Sequence, residues 1–147
     1  MKNLSKGLAT LLIAVALSFT SLVVKAEKPF ASTKIVLQLS DGSPAKQTLV
    51  LNVANNLIKH YGQDNVDIEI VTFSAGLRLL FQDNANSGRI ESLVNSGVHF
   101  AACQNTVKGM TKQLGHPPAL GTYATPVPAG IVRIVDLVKQ GYILVRP

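Results

Sequence analysis

The chain has 147 residues, of which 47% are hydrophobic and 15% charged, proportions typical of an ordinary globular domain rather than of a disordered or collagen-like protein. Its single cysteine excludes a disulfide-stapled mini-protein, and also a multi-cysteine zinc or iron–sulfur site built from one chain. The formal net charge is +6, but three of the lysines lie within the first 26 residues.

Those first residues have the pattern of a secretory signal peptide. Lys2 and Lys6 precede an apolar stretch over 8–24, and small residues before Glu27 suit cleavage after Ala26. We therefore predict a signal peptide over 1–26 and a mature, periplasmic domain over 27–147. The alternative is an uncleaved membrane anchor, but the stretch is shorter than the ~20 apolar residues of a spanning helix, so we expect no stable membrane insertion after cleavage.

Removal of this leader halves the net charge. Three lysines and no acidic residue leave with it, so +6 for the whole chain becomes +3 for the mature domain. The remaining lysines and arginines are scattered, without a basic run or interleaved aromatic residues. We therefore expect no nucleic acid among the partners.

Strands and helices alternate along the mature domain. In chain order, hydrophobic periodicity predicts a strand over 33–40, a helix over 45–61, a strand over 66–73, a helical turn or two over 77–81, a helix over 88–96, a strand over 98–103, a helix over 104–114, a strand over 123–127, a helix over 128–140 and a strand over 142–145. Pro126 removes a ladder donor and weakens the fourth strand. Short connections between alternating elements favour right-handed crossovers. The predicted fold class is α/β, a three-layer α/β/α domain with a mostly parallel sheet of about five strands.

Parallel α/β sheets bind ligands at the carboxyl ends of their strands, so the residues that follow each strand are candidates for a site. Cys103 is the one strong nucleophile at neutral pH, and it lies where the third strand ends and a helix begins. Unpaired N–H groups and the helix dipole at that position lower the pKa of a thiol and prepare it for attack or for carrying a persulfide sulfur. The alternative is an inert, buried cysteine that fills the strand end.

The histidines and glycines offer little further chemistry. The three histidines lie far apart and lack an H-x-x-x-H spacing, so we expect no metal. His99 is four positions before Cys103, which is ~13 Å in an extended strand and too far for a Cys–His pair. His116, in a proline-rich loop, is the one histidine that could reach over the thiol. Neither glycine-rich phosphate-binding motif is present, so we expect no nucleotide cofactor.

Several stretches together resemble the DsrE/DsrF-like family across nearly all of the mature domain. They are F-A-A-C-Q-N-T at 100–106, V-P-A-G-I-V-R-I at 127–134, the closing segment 140–147, the asparagine-rich helix at 51–57 and G-L-R-L-L at 76–80. The resemblance implies a compact α/β/α domain that assembles as homo-oligomers, commonly trimers or hexamers. It also implies a cysteine that, in sulfur-trafficking members, accepts sulfane sulfur as a persulfide. Cys103 matches that position.

These observations lead us to expect a periplasmic sulfur-handling protein, a carrier or sulfurtransferase-like protein rather than a turnover enzyme. Cys103 would accept the sulfur and Asn105 and Thr106 would position it, with Gln104 and Gly76 in support and no cofactor or metal. The expected partners are further copies of the chain and a sulfur donor or acceptor protein. The alternative is a non-catalytic, oligomeric binding or assembly module with a structural, buried cysteine.

Overall fold

The computed structural model describes residue 28 and residues 30–147, so the predicted signal peptide lies outside the described residues. The elements in chain order are β1 (Thr33–Leu39), α1 (Pro44–Tyr61), β2 (Val66–Thr72), a 3₁₀ helix (Ser74–Leu80), α2 (Ser87–Asn95), β3 (His99–Cys103), α3 (Gln104–Leu114), β4 (Ala124–Val127), α4 (Gly130–Lys139) and β5 (Ile143–Val145). Within this part of the chain, no helix combines the length and the hydropathy that a membrane crossing requires.

The five strands form one sheet in the order β4-β3-β2-β1-β5. Every pairing between these strands is parallel. This confirms the predicted α/β class, and the sheet is parallel throughout its five strands. The weak fourth strand lies at one edge of the sheet, which is where strands tolerate a proline such as Pro126.

The two faces of the sheet are covered unequally. Side chains of α1, α2 and the 3₁₀ helix bury the larger core on one face, and Val107 and Met110 of α3 pack against it. The other face has a smaller core under α4, to which Ile134 and Leu137 contribute. Each large aliphatic side chain that is fully buried in this way stabilises the fold by ~1.5–3 kcal/mol.

The segment after β2 is wound more tightly than the sequence predicts. A helical turn is expected over 77–81, whereas the structure has a 3₁₀ helix that already begins at Ser74. In a 3₁₀ helix, residues three apart lie on the same side, which brings Leu77 and Leu80 together into the core, both fully buried. The small residues Ser74, Ala75 and Gly76 therefore belong to the helix.

Two acidic side chains of β2 tie the sheet to the α4 side. Glu69 accepts two hydrogen bonds from Arg133 of α4, from Nε at 2.6 Å and from Nη2 at 2.7 Å. The hydroxyl of Tyr142 donates to Oδ2 of Asp67. Burial, together with this bond to the carboxylate, raises the pKa of Tyr142, so its hydroxyl stays a donor over the physiological pH range.

Candidate thiolate site

Two helices begin beside Cys103. The residue ends β3 and caps α3, with extended backbone angles (φ −65°, ψ 113°). Its neighbour across the ladder is Val127, the last residue of β4, and α4 starts three residues later at Gly130. Because parallel strands end at the same edge of a sheet, the N-termini of α3 and α4 both lie next to the thiol. The sulfur is therefore placed where two helix dipoles favour negative charge.

Cys103 is buried, with only 5% of its surface exposed, yet its thiol pKa is lowered. Burial by itself raises the pKa, but four donors that act on Sγ outweigh it: the side-chain hydroxyl of Thr106 and the backbone N–H groups of Gly130, Thr106 and Asn105. The side chain of Cys103 forms no capping hydrogen bond to α3. The arrangement stabilises an anion on sulfur more than a neutral thiol.

The hydroxyl of Thr106 is oriented by the backbone of Ser74. The N–H of Ser74 donates to Oγ1 of Thr106 at 2.9 Å, which leaves the single hydroxyl proton of Thr106 to point at Sγ of Cys103. Ser74 has φ +51°, a left-handed conformation that costs a non-glycine residue free energy. The strained residue is thus the one that orders a donor to the thiol.

The predicted site residues contribute in different ways. Asn105 has an exposed side chain and acts on the sulfur through its backbone N–H, whereas Thr106 acts through both backbone and hydroxyl. The side chain of Gln104 turns back, with Nε2 3.4 Å from the carbonyl oxygen of Ala102. Gly76 packs against the end of β1, and its N–H donates to Ser40 at 3.1 Å. Its role in the structure is close packing of the backbone two strands away from β3.

The idea that His116 reaches over the thiol is wrong. His116 lies two residues beyond α3, whereas Cys103 precedes its first residue, and eleven helical residues span about 16 Å. Its Nδ1 is 3.0 Å from the carbonyl oxygen of Pro117. The helix that starts at the thiol therefore carries this loop to the opposite end of the sheet.

Ser74 directly follows the strand predicted over 66–73 and is therefore among the candidate positions, whereas Gly130 lies inside the helix predicted over 128–140 and is missed. Gly130 donates its N–H only because β4 pairs with β3, a neighbour relation that hydrophobic periodicity does not specify. The general tendency of strand ends to meet at one edge was the available signal, since both residues closely follow predicted strands. Gly130 also permits close packing, because a Cβ there would lie 3.1 Å from Cβ of Phe73.

Comparisons with known proteins support the fold of the chain but assign it no function. No protein-family model matches the chain, and no curated protein matches it. Among solved structures, the chain is similar to MTH1491, a protein of unknown function from Methanobacterium thermoautotrophicum, with 27% identity, a TM-score of 0.71 and coverage of 78% of this chain and 99% of that one. It also shares its fold with BT1422, a conserved protein of unknown function from Bacteroides thetaiotaomicron, with 16% identity, a TM-score of 0.53 and coverage of 81% and 98%. The described domain thus has the fold of at least two proteins to which no activity is assigned.

Proposed function

We propose that the protein is a periplasmic sulfur carrier of the DsrE/DsrF-like kind, in which Cys103 accepts a sulfane sulfur as a persulfide and passes it on. The observation that carries the proposal is the position of the buried Cys103 at the start of α3 and opposite Val127, just before α4, with Thr106 in the first turn of α3; donors in this arrangement lower the pKa of the thiol. A structural cysteine in an apolar strand end has its pKa raised instead. The substrate class comes from the resemblance at 100–106, and export comes from the leader at 1–26.

The chemistry needs no cofactor. The Cys103 thiolate attacks the outer sulfur of a persulfide or polysulfide donor; a new S–S bond forms to Sγ while the S–S bond inside the donor breaks. The electron pair of the broken bond leaves with the donor as a thiolate or a shortened polysulfide. Delivery reverses the step, as an acceptor thiolate attacks the outer sulfur and Cys103 departs as the thiolate that the four donors stabilise.

Limited exposure of the sulfur favours a small donor. Only 5% of Cys103 is accessible, while Ser74 and Asn105 at the rim are exposed. A sulfane sulfur at the end of a chain is narrow enough to approach such an atom, whereas a bulky disulfide is not. The same shielding protects the thiol from over-oxidation, which depends on thiolate exposure.

Sulfur loading tests the proposal directly. We expect inorganic polysulfide to add the mass of one sulfur atom per folded chain, a reductant to remove it, and Cys103→Ser to abolish the uptake, because the chain has no other cysteine. Intact-mass spectrometry after removal of excess polysulfide gives the measurement. The matched control is Cys103→Ser combined with Lys112→Cys, which moves the thiol to an exposed position of α3 without the donors.

The control decides between site chemistry and general thiol reactivity. We expect the exposed thiol at position 112 to load more slowly at pH 6–7 than Cys103, because an unperturbed thiol with a pKa of ~8.5 is mostly protonated there. A folded wild-type protein that stays unmodified while the position-112 thiol is loaded would refute the carrier and support the alternative, a module with a structural cysteine.

We further propose that copies of the chain assemble into a trimer or hexamer through α4 and β5. Large apolar side chains on these two elements are 40–60% exposed: Ile131, Val132, Val135, Val138, Ile143 and Leu144. β5 is also an edge strand, bonded only to β1 within the sheet. Exposed apolar clusters of this kind, next to an unpaired strand edge, are typical of protein interfaces.

Light scattering on the purified domain tests this assembly. We expect a mass of three or six chains at micromolar concentration for the wild type and a smaller particle for Val135→Asp, because a charge in a buried interface is costly. Leu49→Asp is the matched control, since Leu49 is an apolar residue of α1 that is 40% exposed outside the α4–β5 surface. A monomeric wild type, or equal dissociation by both variants, would contradict the proposed interface.

A further inference from the structure

The ion pair between the buried Glu69 of β2 and the partly exposed Arg133 of α4 lies one helical turn from the start of α4. Glu69 is 2% exposed and lies in the middle of β2. Arg133 donates to both carboxylate oxygens of Glu69, from Nε at 2.6 Å and from Nη2 at 2.7 Å, and this bidentate geometry fixes the orientation of the two groups as well as their distance. Arg133 lies three residues after Gly130, whose N–H is one of the donors to Cys103.

The main chain connects this ion pair to the thiol. The N–H of Arg133 donates to the carbonyl oxygen of Ala129 at 3.0 Å, and this bond closes the turn that contains Gly130. The residue is therefore held twice, by its backbone to the start of α4 and by its side chain to the sheet. On the outer side Gly130 packs on Phe73, where even a methyl group would be tight. The first turn of α4 thus has little freedom to move relative to β3.

We propose that Glu69 and Arg133 are positioning residues for the thiolate site, because their ion pair holds the first turn of α4 beside the end of β3, where Cys103 pairs with Val127. Neither side chain contacts the sulfur or its substrate. The inference deepens the proposed carrier function but concerns the thiol alone, so it is tested without any sulfur donor. It assigns a function to an ion pair whose net contribution to the stability of the fold is small, because the cost of desolvating the two charges offsets much of their attraction.

The direction in which Glu69→Gln changes the pKa of Cys103 distinguishes a positioning effect from a direct electrostatic effect. Glu69→Gln removes a negative charge, and a through-space effect of that loss would favour the thiolate and lower the pKa of Cys103. Loss of positioning has the opposite result, because α4 is released and a donor is lost. We expect the second outcome, with the ionisation constant of the thiol decreased about threefold, which corresponds to about half a pH unit.

The other charged groups near the pair must be kept constant in such a comparison. Tyr142 and Asp136 both act electrostatically on Arg133. His99 is the register neighbour of Glu69 on β3. All three remain in place in the variants at positions 69 and 133.

The experiment is a pH titration of the thiol in the folded protein. Because the chain has one cysteine, labelling with ¹³C at Cβ of cysteine gives a single resonance whose shift follows ionisation without any need for a reagent to reach the sulfur. Arg133→Gln should raise the midpoint as Glu69→Gln does, and Arg133→Lys should raise it less because one bond to Glu69 is retained. Lys139→Gln, which removes the same charge from the last residue of α4, should leave the midpoint unchanged.

Each outcome decides the proposal. Circular dichroism identifies the variants that fold, and the uncharged combination of Glu69→Gln with Arg133→Met replaces the single variants if an unpaired buried charge prevents folding. A midpoint that falls or stays constant in folded Glu69→Gln, or in that combination, overturns the inference. A wild-type protein that takes up no sulfur, while the midpoints still move as expected, would instead refute the carrier function and leave the positioning role standing.

Discussion

Gly76→Ala should destabilise the domain by about 3 kcal/mol or more, a large part of the 5–15 kcal/mol by which a domain of this size is stable. A Cβ at this position would lie 2.3 Å from the carbonyl oxygen of Leu39 and 3.0 Å from Cα of Ser40, both backbone atoms that have no rotamer to change. The 3₁₀ helix and the end of β1 would have to separate. Chemical denaturation followed by circular dichroism measures the loss.

Gly109→Ala is the matched control. Gly109 lies in the middle of α3, is exposed and has no neighbour within 4 Å of an added Cβ. The same substitution should therefore stabilise the domain by about 0.5–1 kcal/mol, because alanine is the better helix former. Equal unfolding midpoints for the wild type and Gly76→Ala would show that the close approach of the 3₁₀ helix to β1 is not required for the fold.

Thr106→Val should impair the thiolate site more than any change that leaves the cysteine in place. Valine has the shape of threonine but lacks the hydroxyl, so Sγ of Cys103 loses its side-chain donor and the N–H of Ser74 loses its acceptor. A hydrogen bond to a charged group is worth ~1.5–3 kcal/mol, so we expect the ionisation constant of the thiol to fall about tenfold or more. The pKa therefore rises, and sulfur loading at neutral pH slows accordingly.

Two variants control this result. Thr106→Ser retains the hydroxyl and should keep a thiol pKa close to that of the wild type. Thr111→Val removes a hydroxyl that donates to the carbonyl oxygen of Val107 in the same helix, at 2.8 Å and away from the thiol. Its thiol titration should match the wild type. If Thr106→Val titrates like Thr111→Val, the hydroxyl of Thr106 has no part in stabilising the thiolate.

The same titration has a consequence for stability. The folded-state pKa of Cys103 is lowered below its unfolded value of ~8.5, so folding favours the thiolate. The contribution of Cys103 to stability is therefore complete above the unfolded pKa and is lost as the pH falls through the folded pKa. Relative to Cys103→Ser, the wild type should gain free energy of unfolding between these two pH values. Thr106→Val should show a smaller gain.

Much of the fold follows from the sequence because its signals are local. Apolar residues at a spacing of three and four predict α1 and α4, and β-branched runs predict the strands, so the alternation of elements and the α/β class are evident without coordinates. The place of Cys103 between a strand and a helix is equally local. Its neighbouring backbone donors, at Asn105 and Thr106, follow from the geometry of any helix start.

Tertiary structure decides what depends on contacts between distant residues. Sheet order brings Gly130 to the thiol, and the turn after β2 brings the N–H of Ser74 to Thr106, 32 residues away. The acidic positions of β2 alternate with apolar ones as in a half-exposed strand. Glu69 and Asp67 are nevertheless buried. Arg133, 64 residues after Glu69, donates to both oxygens of Glu69, and Tyr142, 75 residues after Asp67, donates to one oxygen of Asp67. Hydrophobic periodicity shows on which side of a strand a residue lies. The partners that stabilise a buried charge or an ionised thiol come together only when the chain folds.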